Sequence, residues 1–163
     1  MSDNALSTFR STFERETATT RKVLHAFPVD QNQFRPHERS MTAHMLGWIM
    51  VGEETLMLKV LHGEPLLTGN FPKPPATWQE VLDAFDERCR EMLEAIDATD
   101  LANVPTPTFM VGPKQTGEIP PLEFLWFMLH DQIHHRGQFS VYLRMAGGKV
   151  PSIYGPSGDE PWF

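Results

Sequence analysis

Four stretches of this chain repeat apolar residues at three- and four-residue steps, and proline or glycine fences each one. That periodicity restricts the fold more than any other feature, because only a helix places such positions on one face. The third stretch is the clearest. Thr77 precedes Glu80 at the spacing of a capping box, and Trp78, Val81, Leu82, Phe85, Cys89, Met92 and Ile96 form the stripe. In the first, Leu6, Phe9, Phe13, Leu24 and Phe27 share a face until Pro28 stops the run. The second starts after Arg35-Pro36-His37 with Ser40 as the expected N-cap, carries Met41, Met45, Trp48 and Leu56, and closes at Gly63 and Pro65. The fourth opens on Pro121 in the first helical position and runs to about Met145, ending at Gly147-Gly148.

Between them, residues 66–76 contain Gly69, Pro72, Pro74 and Pro75 and are expected to hold little regular structure. Residues 99–120 are too long for a tight helix–helix turn; 106–111 and 115–119, around Gly112-Pro113, suit a small hairpin. The expectation is an all-α, four-helix bundle with that hairpin before the last helix, forming one domain over 1–163 with 147–163 as a C-terminal tail. Up-down and crossed arrangements both fit the pattern.

Composition narrows the function classes. A chain of 163 residues buries a substantial core without disulfides, and the lone Cys89 fits a reducing cytoplasm. The formal net charge of -7 speaks against a dedicated nucleic-acid binder. Residues 45–51 and 122–129, the most apolar runs, fall short of the ~20 residues needed to span a bilayer, and the N-terminal residues lack the basic start and apolar run of a signal peptide. A soluble cytoplasmic protein is expected.

Chemistry concentrates in His130-Asp131-Gln132-Ile133-His134-His135. Residues four apart on a helix lie one turn apart on one face, where two imidazoles can share a cation. A helical plot puts His130 and His134 on a side with Trp126, Phe127, Ile133, Gly137 and Val141, read here as the inward stripe. His44 sits among Met41, Met45 and Trp48 on the second helix, so three inward His can meet in the core. A single buried His is ordinarily a core residue bonded to a carbonyl or water; the pair plus a third on another helix favours a metal with an open coordination position. His135 points elsewhere, and His25, His37 and His62 sit at helix ends or in connectors. Cys89, on an apolar stripe without a flanking cation, reads as an inert thiol. No Glu-x-x-His pair of a di-iron bundle is present, and His130-Asp131-x-x-His134 substitutes a shorter acid for the general base of a zinc protease.

His130-Asp-Gln-Ile-His-His-Arg-Gly-Gln138, followed by Phe-Ser-Val-Tyr-Leu-Arg144 and Val150-Pro-Ser-Ile-Tyr-Gly-Pro156, resembles the C-terminal signature of the DinB/YfiT-like metalloenzyme superfamily. The likeness extends to His44 and the helix plan. It implies a four-helix bundle with a crossed connection, frequently dimeric, holding nickel, zinc or iron on a His triad that maps to His44, His130 and His134. Many relatives place a His four residues before the His-Arg-Gly; aligned that way, Asp131 and His135 become the pair. His130 and His134 are preferred here because they share a face with Trp126 and Val141.

Relatives with assigned activities resemble thiol-dependent enzymes, bacillithiol S-transferases and mycothiol-dependent isomerases. Three functions follow as expectations: a metal-dependent transferase using a small-molecule thiol and an electrophile, a metal-dependent hydrolase, and a non-catalytic metal- or ligand-binding module. A second apolar stripe on the last helix, Phe124, Met128, Phe139 and Tyr142, predicts a homodimer through that helix.

Overall fold

Capping chemistry sets the helix boundaries in the computed structural model, which describes residues 2–66 and 73–163. The expected irregular connector therefore falls partly outside the described residues. Helix α1 spans Ser2–His25, α2 Ala43–Leu61, α3 Trp78–Ala98 and α4 Pro121–Met145. At the start of α3 the Thr77 hydroxyl accepts the Glu80 N–H at 3.2 Å, and the Glu80 carboxylate accepts the Thr77 N–H at 2.8 Å, the reciprocal bonds of a capping box. Helix α2 starts later than expected, capped by Thr42 rather than Ser40. The N–H groups of Ala43 and His44 are held by the carbonyls of Phe34 and Asn32, which keeps the preceding segment looped until that point. Helix α4 begins with Pro121 and ends where Gly147 takes a φ of 85° and the Gly148 N–H returns to the Leu143 carbonyl.

The hairpin expected before α4 is present. Strands β1 (Thr108–Gly112) and β2 (Gln115–Glu118) pair antiparallel, with Thr108 opposite Glu118.

Helix α1 packs on α3 and α4, and α2 packs on the same two helices, so sequential α1 and α2 are diagonal. Side-chain pairs fix the directions. Phe9–Trp126, Glu16–Arg136 and Phe27–Phe139 rise together, making α1 and α4 parallel. Glu53–His135 and Met41–Tyr142 run oppositely, making α2 and α4 antiparallel. Arg10–Asp97 with Arg21–Asp86 does the same for α1 and α3. The bundle is therefore crossed, with α2 and α3 parallel neighbours.

The core divides in two. One apolar cluster gathers Phe27, Leu46, Met50, Trp78, Phe85 and Phe139; the Trp78 and Phe139 rings stack at 5.7 Å. Gly47 permits this, since a Cβ there would lie 2.7 Å from the Trp78 ring. The other cluster gathers Phe9, Phe13, Met57, Met92, Phe124 and Leu129. Buried polar groups lie in addition to these clusters: Glu16, Thr17, Thr20, His44, Glu53, Glu54, Gln132 and Arg136. Buried polar atoms require partners, so this set is where function is to be sought.

Two expectations about helix faces are reversed. Phe124, Met128, Phe139 and Tyr142, assigned above to a partner subunit, are buried inside the chain. The opposite stripe, expected to face inward, leaves Val141 at 56% and Phe127 at 46% exposure, with His130 and His134 exposed between them. Helix α4 is apolar on two sides, and its neighbours α1 and α2 decide which side is covered. Among the described residues no helix is long and apolar enough to cross a membrane.

Candidate metal centre

His135 and Asp131, four residues apart, share a face of α4 that meets α2 at Glu53. His135 Nδ1 lies 2.6 Å from Glu53 Oε1. One ligand atom from each of Glu53, Asp131 and His135 falls within 4.8 Å of the other two, the one such grouping among the described residues. Ligand atoms ~2.1 Å from a common ion sit up to about 4.2 Å apart, so a modest side-chain rotation closes this set around a cation.

The electrostatics suit a positive guest. Burial pushes the Glu53 carboxyl up to about 7; the bond to His135 opposes that rise, while the neighbouring Asp131 adds to it. His135 is raised as well, chiefly by its bond to Glu53. Both groups therefore bind their protons more tightly than free side chains do, Glu53 chiefly through burial and His135 chiefly through its bond to Glu53. Glu53 Oε2 is buried with no hydrogen-bond partner, an acceptor that a cation would satisfy. Two carboxylates and a neutral imidazole also balance the charge of a divalent ion, and the oxygen-rich donor set accommodates zinc, iron or nickel.

The three-histidine site expected from the sequence is not formed. His44 is buried, but both ring nitrogens lack partners and the ring lies edge-on to Trp78 at 6.1 Å. It precedes Glu53 by nine residues, roughly 13 Å along α2. His130 is exposed and leans on Trp126, 5.7 Å away; His134 is exposed and its Nε2 meets the Gln138 amide at 2.8 Å. The reason is the reversed face of α4: His130 and His134 turn outward with Val141, and the alternative pair, Asp131 and His135, turns towards α2. Glu53 was missed altogether. Its signal lay in α2, where Glu53-Glu54 interrupts an apolar run and the neighbouring acids cannot both reach water cheaply.

Glu54 is fully buried beside this site and serves a different purpose. The Cys89 thiol donates to Glu54 Oε1 at 3.1 Å, and the Gln132 amide donates to the same oxygen at 3.2 Å. Burial raises Glu54 well above the usual carboxylate range, against the opposing hydrogen bonds from Cys89 and Gln132. Burial and Glu54 together push the Cys89 thiol far up, which removes it as a nucleophile.

The DinB family model matches residues 1–161. The chain belongs to the DinB family. It is 25% identical over 161 residues to the uncharacterized protein YrdA of Bacillus subtilis strain 168, covering 95% of this chain and 91% of YrdA. A DinB-like protein from Bacillus cereus ATCC 10987 superposes with a TM-score of 0.70 at 24% identity, over 90% of this chain and 95% of that one. The DinB-like protein YjoA of Bacillus subtilis gives 0.69 at 15% identity, over 96% and 99%. At these identities the two structures show the fold alone, so the assignment of Glu53, Asp131 and His135 rests on this chain's own geometry.

Proposed function

We propose that this DinB-family chain is a divalent-metal-dependent enzyme whose ion is held by Glu53, Asp131 and His135. The observation that carries the proposal is the convergence of one ligand atom from each of these three side chains to within 4.8 Å of one another, beside a Glu53 oxygen, Oε2, that is buried without a hydrogen-bond partner. A bound divalent ion would supply Lewis-acid chemistry, polarising a small ligand at a position the three side chains leave open. The protein's own part is to hold the ligands. Helix α4 fixes Asp131 and His135 one turn apart, and α2 delivers Glu53 from the facing side. Taking up the ion requires Glu53 and His135 to release protons, so affinity rises with pH through neutrality.

Two carboxylates and one imidazole make a hard donor set, which favours water over a soft thiol as the activated ligand. A hydrolytic reaction is therefore preferred to thiol transfer. The test combines metal analysis of tag-free protein with activity assays. Zinc should bind at one per chain, Asp131→Asn should abolish binding, and ester substrates should be cleaved without added thiol. Turnover that appears only with a thiol and an electrophile would move the reading to a transferase. Stoichiometric zinc retained by Asp131→Asn, Glu53→Gln and His135→Ala alike would remove the centre itself.

A further inference from the structure

A cavity of about 430 Å³ opens directly onto two of the three metal ligands, Glu53 and Asp131. Its size falls within the roughly 300–1,000 Å³ typical of small-molecule sites. Apart from those two carboxylates, every residue lining it is apolar: α2 contributes Met45, Ile49 and Leu56, and α4 and β1 supply the rest. The hairpin forms one wall, where the Phe109 ring lies against Phe124 at 5.2 Å and Phe127 at 6.5 Å. At the mouth, Met110 is 62% and Phe127 46% exposed. Apolar surface of this kind beside a polar floor is the pattern of a ligand site whose body is dry and whose chemistry is confined to one end.

We propose that this cavity binds the substrate, and that the substrate is a small molecule with an apolar chain or ring as its body and a single oxygen- or nitrogen-bearing head lying against Glu53 and Asp131. The assignment of a head group rests on the metal-centre reading above; the apolar body rests on the cavity alone. Hydroxyl-rich molecules such as sugars are excluded, because their hydroxyls would be desolvated against Met, Ile and Phe side chains with no partners. Anionic bodies gain nothing either, since no lysine or arginine lines the cavity. Three of the lining residues, Met45, Met110 and Met128, are methionines, whose flexible thioethers adapt to varied apolar shapes. Selectivity is therefore for hydrophobicity and length rather than for one outline.

The experiment uses the full chain labelled at its methionine methyl groups and compares 1-hexanol with diethylene glycol, a polar chain of the same length. In metal-free protein, hexanol should shift the methyl signals of Met45, Met110 and Met128 saturably and leave Met92, buried in the core, unmoved. Diethylene glycol should shift none of them. Equal responses to the two alcohols, no response to hexanol, or shifts spread equally to Met92 would each overturn the proposal. Met110→Lys, at an exposed position that leaves the core intact, should weaken the hexanol response read at Met45 and Met128 by about tenfold or more, and an unchanged response would place the ligand elsewhere. With zinc present, hexanohydroxamic acid should bind at least about tenfold more tightly than acetohydroxamic acid through its longer tail, and equal affinities would count against the cavity. If zinc itself failed to bind, the metal reading would fall, and the alcohol comparison would still decide the cavity.

Discussion

His135 and Arg136 are consecutive residues of α4, yet they face two buried carboxylates whose circumstances are opposite. Arg136 meets Glu16: its Nη2 donates to Glu16 Oε2 at 2.9 Å and to the Tyr154 hydroxyl at 2.7 Å, and that hydroxyl donates back to Glu16 at 2.6 Å. Its Nη1 donates to the Glu16 carbonyl at 3.0 Å. Charge is balanced and the guanidinium is fully buried. His135 meets Glu53, where Asp131 adds a second acid and one carboxylate oxygen has no partner. A closed ion pair contributes structure, here by tying α1, α4 and the C-terminal segment together. A carboxylate left in want of a cation has been desolvated for something the chain does not itself supply. Burial alone does not separate these two acids; the guanidinium that meets one and the second carboxylate that meets the other do.

The largest effect should come from breaking the closed pair. Arg136→Met leaves Glu16 with no cation but the exposed Arg15, at a longer 3.4 Å, and removing the buried member of such a pair costs about 3–5 kcal/mol. Urea unfolding should show the midpoint falling accordingly. A loss below about 1 kcal/mol, the value of an exposed pair, would mean that water reaches Glu16 freely.

The two acids should also respond to pH with opposite sign. For Glu16, burial works to raise the pKa, but hydrogen bonds from Tyr154 and Arg136 outweigh it and leave the group lowered. Its stabilisation is present above the unfolded value of 4.5 and is lost as pH falls through the lower folded value. Glu53 is raised from 4.5 to about 7, so the folded state binds its proton more tightly, and metal-free protein loses stability as pH rises through that interval. His135, also raised, acts in the same direction at the upper end, because its contribution is full below 6.5 and disappears through its higher folded value. The Glu53 shift corresponds to roughly 3 kcal/mol. Glu53→Gln should therefore flatten the decline between pH 5 and 8 in metal-free protein, while Tyr154→Phe should alter only the acid limb. A wild-type stability that climbs from pH 5 to 8 without metal would contradict the assignment.

Metal should then convert the unsatisfied site into a satisfied one. Zinc at a free concentration a hundredfold above its dissociation constant should stabilise the wild type by about 2.7 kcal/mol, read as a rise in melting temperature that chelator reverses. Asp131→Asn should abolish that rise without disturbing the Glu16 pair. If the variant kept the full shift, the ion would be bound by other residues.

Local chemistry was readable from the sequence, and the covering of faces was not. The start of α3 follows from Thr77 and Glu80, and the ends of α4 from Pro121 and Gly147, because caps involve only neighbouring residues. The hairpin around Gly112-Pro113 was legible for the same reason. The buried face of α4 was not, since Trp126 and Val141 on one side and Phe124 and Phe139 on the other offer comparable apolar surface. Only α1 and α2 settle the choice, and their placement is a long-range fact. The error then spread to the site: choosing the wrong side selected His130 and His134 over Asp131 and His135. Arg136 was likewise read only as part of a motif, because its partners Glu16 and Tyr154 lie 120 and 18 residues away.

The smallest effect tests that reversal directly. His130 and His134 are exposed on α4, where His134 meets the Gln138 amide and lies 5.6 Å from the His135 ring. Replacing both with alanine removes no buried contact and no member of the Glu53 group, so stability should change by no more than about 0.5 kcal/mol. Zinc stoichiometry and the zinc-dependent rise in melting temperature should match the wild type. The double variant thereby separates two geometries that the motif allows equally. Loss of the zinc response in it, with Asp131→Asn retaining that response, would mean that α4 turns its other face to the metal and that the packing of α4 against α2 described above is rotated.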